Sequence, residues 1–247
     1  FHPGRAAQNG MTAAFLASKN FTSSERGLEA PRGFANVLAT ARNYDEITGN
    51  LGKTWEVSLN TYKPFACGIV IHPIIDGCVQ LRNEHKLKAA DIESIALKVH
   101  PLVLELTGKK TPQVGLEGKF SVFHSAAVAI IHGEGGEDVY SDEVVRNSEV
   151  ITLRDKVSAE VDKGVHEDAA HVTIKLKDGR TLVKHVDHAI GSLARPMSDA
   201  DLEAKFRKFS NAVLGNAQTD ALLKLCWSVD SLKDAGDIAR ASVPGKR

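Results

Sequence analysis

A hairpin constrains this fold more than anything else in the chain. Val172, Ile174 and Leu176 alternate with polar neighbours, Asp178-Gly179 follows, and Leu182 to Val186 resumes an extended run. Alternation at every second position lines one face of a strand, and Asp-Gly tolerates the positive φ angles of a tight primed turn. An antiparallel pair is therefore predicted. A further strand is expected over Ile92 to Val99, with Ile95, Leu97 and Val99 on one side. A third alternating stretch, Trp55 to Tyr62, also reads as a strand, leading into a loop over Lys63-Pro64-Phe65-Ala66-Cys67-Gly68.

Helical spacing takes over on both sides of this region. Arg5 to Lys19 repeats Ala6, Met11, Ala14, Phe15 and Leu16, and its small residues, Gly10 and the alanines, suit close contact between helices. A short helix is expected over Gly33 to Ala41. Another runs from His72 to about Glu84, with Pro73 in its first turn and Ile74, Ile75, Cys78, Val79 and Leu81 on its apolar face. Lys119 to Ile131 reads as a buried helix and Ser141 to Arg146 as a short one. Ser198 is a predicted N-cap, followed by acidic Asp199, Asp201 and Glu203, with Leu202, Phe206 and Phe209 as the buried stripe. Thr219 to Trp227 and Leu232 to Ala241 continue the helices. Helical, then mixed, then helical is the order of an all-α domain interrupted by a smaller α+β domain. On this reading residues 1–55 are the first helical segment, 56–197 the α+β domain and 198–247 the returning helices.

Composition narrows the function. Lysine plus arginine equal aspartate plus glutamate at 31 each, so no global field draws in nucleic acid or an anionic membrane. Cys67, Cys78 and Cys226 form no CxxC pair, which argues against a disulfide framework or a zinc site and for a reducing, cytoplasmic setting. No apolar run approaches the ~20 residues of a membrane span, and no segment reads as a signal peptide. The chain opens at Phe1 without a methionine and passes at once into helical sequence, so its start reads as the middle of a protein or as a processed terminus.

Candidate chemistry is sparse. Lys63, before a proline at a strand-to-loop junction, is placed to hold a carboxylate or move a proton, or else is a solvated surface lysine. His72, at a helix start, is a base or acid near neutral pH, or a capping or core histidine. His2 carries the same ambiguity. Asp76, one helical turn past His72, orients it or sits on the polar face. His124 reads as a core residue. His166, His171, His185 and His188 have no metal-ligand spacing, so a metal is not expected. Gly133-Glu134-Gly135-Gly136 follows a helix instead of opening one and has neither P-loop nor GxGxxG spacing. No GxSxG is present.

Three stretches taken together resemble the MmgE/PrpD family of 2-methylcitrate dehydratases, cis-aconitate decarboxylases and iminodisuccinate epimerases. They are His2-Pro3-Gly4-Arg5-Ala6-Ala7-Gln8-Asn9-Gly10, then Tyr62 to Cys67 with His72-Pro73-Ile74-Ile75-Asp76, then Arg195-Pro196-Met197-Ser198 through Phe206. The resemblance implies a large helical domain with a smaller α+β domain, in a cofactor-free lyase that is dehydratase-like and acts on a small carboxylic acid, as a homodimer. It implies Lys63 and His72 as catalytic residues, and His2, Lys63, Cys67 and Gly68 as substrate-binding. Gly68 and Ile69 stand where some members have histidine or arginine, and Leu104 where decarboxylases have tyrosine. Those departures point away from cis-aconitate, toward a substrate with fewer or differently spaced carboxylates. Two alternatives stand beside this reading: an epimerase of a small dicarboxylate, using the same proton chemistry without loss of water, and a non-catalytic module that self-associates through its helical face.

Overall fold

The helix-period sequence at the start of the chain folds as read. In the computed structural model, which describes residues 1–245, α1 spans His2–Ser18, α2 spans Phe34–Leu38 and α3 spans Asp45–Thr48. They lie in the first of two compact units, Phe1–Ser58. No apolar side chain of that unit is buried; Met11, Phe15, Phe34 and Trp55 stand exposed. A side chain at Gly10 would meet nothing within 4 Å among the described residues. The expected strand over Trp55 to Tyr62 does not form. A single 3₁₀ turn, Glu56–Leu59, takes its place, closed by Ser58 Oγ donating to the Trp55 carbonyl at 2.7 Å. Alternation makes a strand only where a neighbour supplies the ladder. Here Val57 and Leu59 face solvent, and no strand among the described residues pairs with them.

The second unit begins at Leu59. Its first helix, α4 (His72–His85), ends one residue past the predicted limit. Strand β1 (Ile92–Val99) matches its predicted range, and α5 (Pro101–Thr107) and α6 (Gly115–Gly118) follow. Helix α7 (Val122–His132) starts later than predicted because the Ser121 hydroxyl caps it, accepting from the His124 amide at 3.1 Å. Then come α8 (Asp142–Val145), α9 (Ser148–Arg154), β2 (Val157–Val161), β3 (Ala170–Leu176) and β4 (Thr181–Val186). Helices α10 (Asp199–Leu214), α11 (Asn216–Trp227) and α12 (Gly236–Ala241) complete the chain.

The four strands form one sheet in the order β2-β1-β3-β4, with β1 parallel to β2 and antiparallel to β3. The fold is therefore a mixed α+β one. Ile95 sits opposite Ile174 and Leu97 opposite Val172, and all four are buried. Helices α4 and α7 pack against each other and against the sheet, adding Ile74, Ile75, Cys78, Leu81, Val122, Ala126 and Ile130 to this core. Each large aliphatic side chain so buried stabilises the fold by about 1.5–3 kcal/mol.

The hairpin forms, with a different turn. Leu176 N donates to the Arg180 carbonyl at 2.8 Å and Gly179 N to the Leu176 carbonyl at 3.0 Å, and only Gly179 of the turn has positive φ, +91°. This is a three-residue loop with a glycine bulge, not the two-residue primed turn. Asp178 instead accepts from the Arg180 amide and guanidinium at 3.0 and 2.8 Å, which holds the wider loop. Strand β2 was not legible, because only Val157 of its five residues is buried. Ser198 caps α10 as predicted, in a reciprocal box with Asp201. The stripe of α10 is shallower than expected: Leu202 and Phe206 are half-buried and Phe209 is exposed. The regular part of the last helix is shorter than the predicted range, Gly236–Ala241.

Candidate functional site

The segment Tyr62 to Gly68 has no regular structure, so longer-range contacts hold it. Ala66 N donates to the Gly135 carbonyl at 2.8 Å and Gly68 N to the Lys119 carbonyl at 3.1 Å. A 3₁₀ turn, Ile69–Ile71, then feeds into α4, whose first residue is His72. The proline after it suits the first helical turn, where an amide would have no partner. Lys63 and His72 are thus brought into one neighbourhood.

Lys63 lies in an irregular segment, not at a strand end. Its Nζ donates to the Cys67 carbonyl at 3.2 Å, and its own carbonyl accepts from Lys205 Nζ at 2.7 Å. An ammonium has three donors, so with one on Cys67 the group retains donors for an anion. His72 is buried, 3% exposed, and its Nε2 has no partner. The Phe65 ring stands edge-on to it, centroids 5.4 Å apart. Burial first, then the Lys63 charge, push its pKa down to about 4, and the Cys67 and Phe65 carbonyls against the ring only partly oppose this. At neutral pH the imidazole is therefore uncharged, and the ammonium of Lys63 beside it carries the positive charge.

Cys67 is 6% exposed, and burial pushes the pKa of its thiol up to about 11, against the pull of Tyr140, Lys63 and Lys119. A thiol, not a thiolate, stands there at neutral pH, so nucleophilic chemistry is not its part. Tyr140 meets Ser125 Oγ at 3.0 Å in the same buried cluster. A Cβ at Gly68 would lie 2.9 Å from Thr107 Cγ2. Thr107 is itself buried and held on the Val103 carbonyl. A larger residue at position 68 therefore needs Thr107 to move, so glycine there leaves no vacancy for an absent side chain. Leu104 lies on α5, half-buried against the core. His2 belongs to the first unit, exposed in the first turn of α1, with the Phe1 ring 5.8 Å away.

Asp76 does not orient His72. It is buried, and accepts from Gln80 Nε2 at 2.8 Å, from the Ile190 amide at 3.3 Å and from the Arg195 guanidinium. This ties α4 to the loop that walls a cavity of about 180 Å³ beside His72, whose lining includes Tyr62, Val70, Asp168, Ile190 and Ser192. His124 is a core residue, with Nε2 on the Val139 carbonyl at 3.0 Å. Asp168 holds two of the strand-region histidines, His166 at 2.5 Å and His188 at 2.7 Å. His171 and His185 meet across β3 and β4 at 2.9 Å.

Lys205, Arg195 and the 189–192 loop were not singled out from sequence, although Arg195 and Lys205 fall within the third family-like stretch. That Lys205 reaches the Lys63 carbonyl and Arg195 reaches Asp76 on α4 are long-range facts with no local signal.

This α+β fold, carrying the Lys63–His72 segment at its entry, is that of the MmgE/PrpD C-terminal domain: residues 65–229 match the model of that domain, and the chain belongs to the MmgE/PrpD family. Among characterised proteins it is similar to the cis-aconitate decarboxylase of Mus musculus, 25% identical over 253 residues, covering 97% of this chain and 51% of the relative. The Homo sapiens cis-aconitate decarboxylase is 24% identical, covering 94% of this chain and 50% of that protein. A cis-aconitate decarboxylase-like protein of Aspergillus oryzae is 23% identical, covering 95% and 52%. The chain spans about half the length of these relatives. Among the described residues no helix is long and apolar enough to cross a membrane.

Proposed function

We propose that this chain is part of a lyase of the MmgE/PrpD type that acts on a small carboxylic acid by proton transfer next to a carboxylate, in the manner of a dehydratase. The observation that carries the reading is the pairing of a Lys63 ammonium that keeps donors to spare with a buried, uncharged His72. Removing a proton beside a carboxylate builds charge on its oxygens, and a fixed cation stabilises that charge. Lys63 is read as the anchor or proton relay, His72 as support of the pocket, and Cys67 and Gly68 as substrate-binding. His2 is read as a further substrate-binding residue. Residues 1–55 and 198–247 are read as parts of one helical domain around the α+β segment, in a homodimer.

The packing of Thr107 against Gly68 supports a substrate other than cis-aconitate, since no side chain occupies that position. The names of the relatives support the second reading, decarboxylation of cis-aconitate. Assay of the longer protein with 2-methylcitrate, citrate and cis-aconitate, following both the new double bond and released carbon dioxide, separates the two. Lys63→Met is expected to lower turnover by about a hundredfold or more. Turnover of none of the three acids, or full activity of Lys63→Met, sinks the reading.

A further inference from the structure

Lys63 has no helix or strand to fix it, so its placement depends on what grips its neighbours. A side chain at Gly191 would collide with the Tyr62 carbonyl oxygen and come within 2.7 Å of Pro64 Cδ, so the Gly191 backbone lies directly against both residues that flank Lys63. Gly191 itself has φ +87° and its amide donates to the Arg195 carbonyl at 2.8 Å. The loop carrying it is fastened by one carboxylate, since Asp76 accepts from the Ile190 amide and from the Arg195 guanidinium.

We propose that Asp76 and Arg195 are positioning residues that set where the Lys63 ammonium stands relative to His72, acting through the 189–195 loop. Asp76 lies one turn beyond His72 on the same helix. The rigid element that presents the histidine is therefore also the one that anchors the loop packed on Lys63. A third donor, Gln80 Nε2, engages the other carboxylate oxygen of Asp76, so both oxygens are held and the carboxylate keeps one orientation. A buried carboxylate paired with a partly exposed arginine adds little net stability, because desolvation offsets the attraction; its effect is to choose one arrangement over others. Lys205 adds a second grip, on the Lys63 carbonyl from α10. The inference rests on reading Lys63 as the cation of the site.

The test uses the 247-residue chain with its lysines carrying ¹³C-methyl labels, the Lys63 signal being identified by its absence in Lys63→Arg. Arg195→Gln and Gly191→Ala are each expected to move that signal. Arg195→Gln should also speed exchange of the Ile190 amide by about tenfold or more. Arg195→Lys should restore part of the original signal, and Arg180→Gln, in the exposed hairpin turn, should change nothing. If Arg195→Gln fails to fold, Gly191→Ala and Arg195→Lys carry the comparison. A Lys63 signal that stays in place in the folded variants overturns the proposal, whatever Lys63→Met does to turnover of the longer protein. A signal that moves while Lys63→Met keeps full turnover upholds the positioning role and removes the functional reading.

Discussion

Two buried histidines make the second unit sensitive to acid. Burial drives both His72 and His124 from an ordinary value of 6.5 to about 4; the Lys63 charge adds to this at His72, while the Val139 carbonyl opposes it at His124. In the unfolded chain both take up a proton near 6.5, whereas in the folded chain they do so only near 4. Between those values the unfolded state binds more protons, so stability is full above 6.5 and falls as the pH drops toward 4. Each group accounts for at most about 3 kcal/mol of that loss. Urea unfolding of the chain between pH 7 and 4 should show the decline, and His124→Gln should flatten it in part. An imidazole resonance of His72 that titrates near 6.5 would contradict this account.

At the scale of the elements, apolar burial and capping carry different weights. Ile174 on β3 and Ile74 on α4 are fully buried in the core between sheet and helices, whereas Val183 on β4 is 63% exposed. Ile174→Ala or Ile74→Ala should cost about 2–5 kcal/mol, and Val183→Ala less than about 0.5 kcal/mol. Ser198→Ala removes the hydroxyl that accepts from the Asp201 amide at 3.2 Å, and should cost about 1 kcal/mol. Chemical denaturation ranks the four variants. Equal costs for Ile174→Ala and Val183→Ala would mean that the sheet buries a different face.

Across the whole molecule the contrast is between a unit with a core and one without. Every buried apolar side chain among the described residues lies beyond Ser58. Amides of Phe1–Ser58 should therefore exchange with solvent far faster than those of β1 and β3, whose opening requires the core to come apart. The exposed Met11, Phe15 and Leu16 of α1 favour association, so sedimentation should show self-association at micromolar concentration. Catalysis needs several groups converging on one substrate, and such groups are strongly non-additive. On the proposed lyase reading, a chain spanning half the relatives' length should thus keep less than about a tenth of the rate of a longer protein. Comparing the two on one acid decides it.

Periodicity and local chemistry were enough, from sequence alone, to place β1, β3, β4, α4 and the Ser198 cap, since each is written in neighbouring residues whose spacing matches one face of an element. The Lys63 and His72 stretch was legible as a family-like pattern, with the proline at the start of α4 fixing its beginning. Alternation misled at Trp55 to Tyr62, because a strand also requires a partner, and a partner is not a local property. Tertiary structure alone decided that β2 joins β1, that Asp76 pairs with Arg195 across 119 residues of chain, and that Gly191 packs on the flanks of Lys63. It also decided that His72 is uncharged at neutral pH, since burial and a neighbouring cation, neither written in the residues beside it, set the proton affinity of an imidazole.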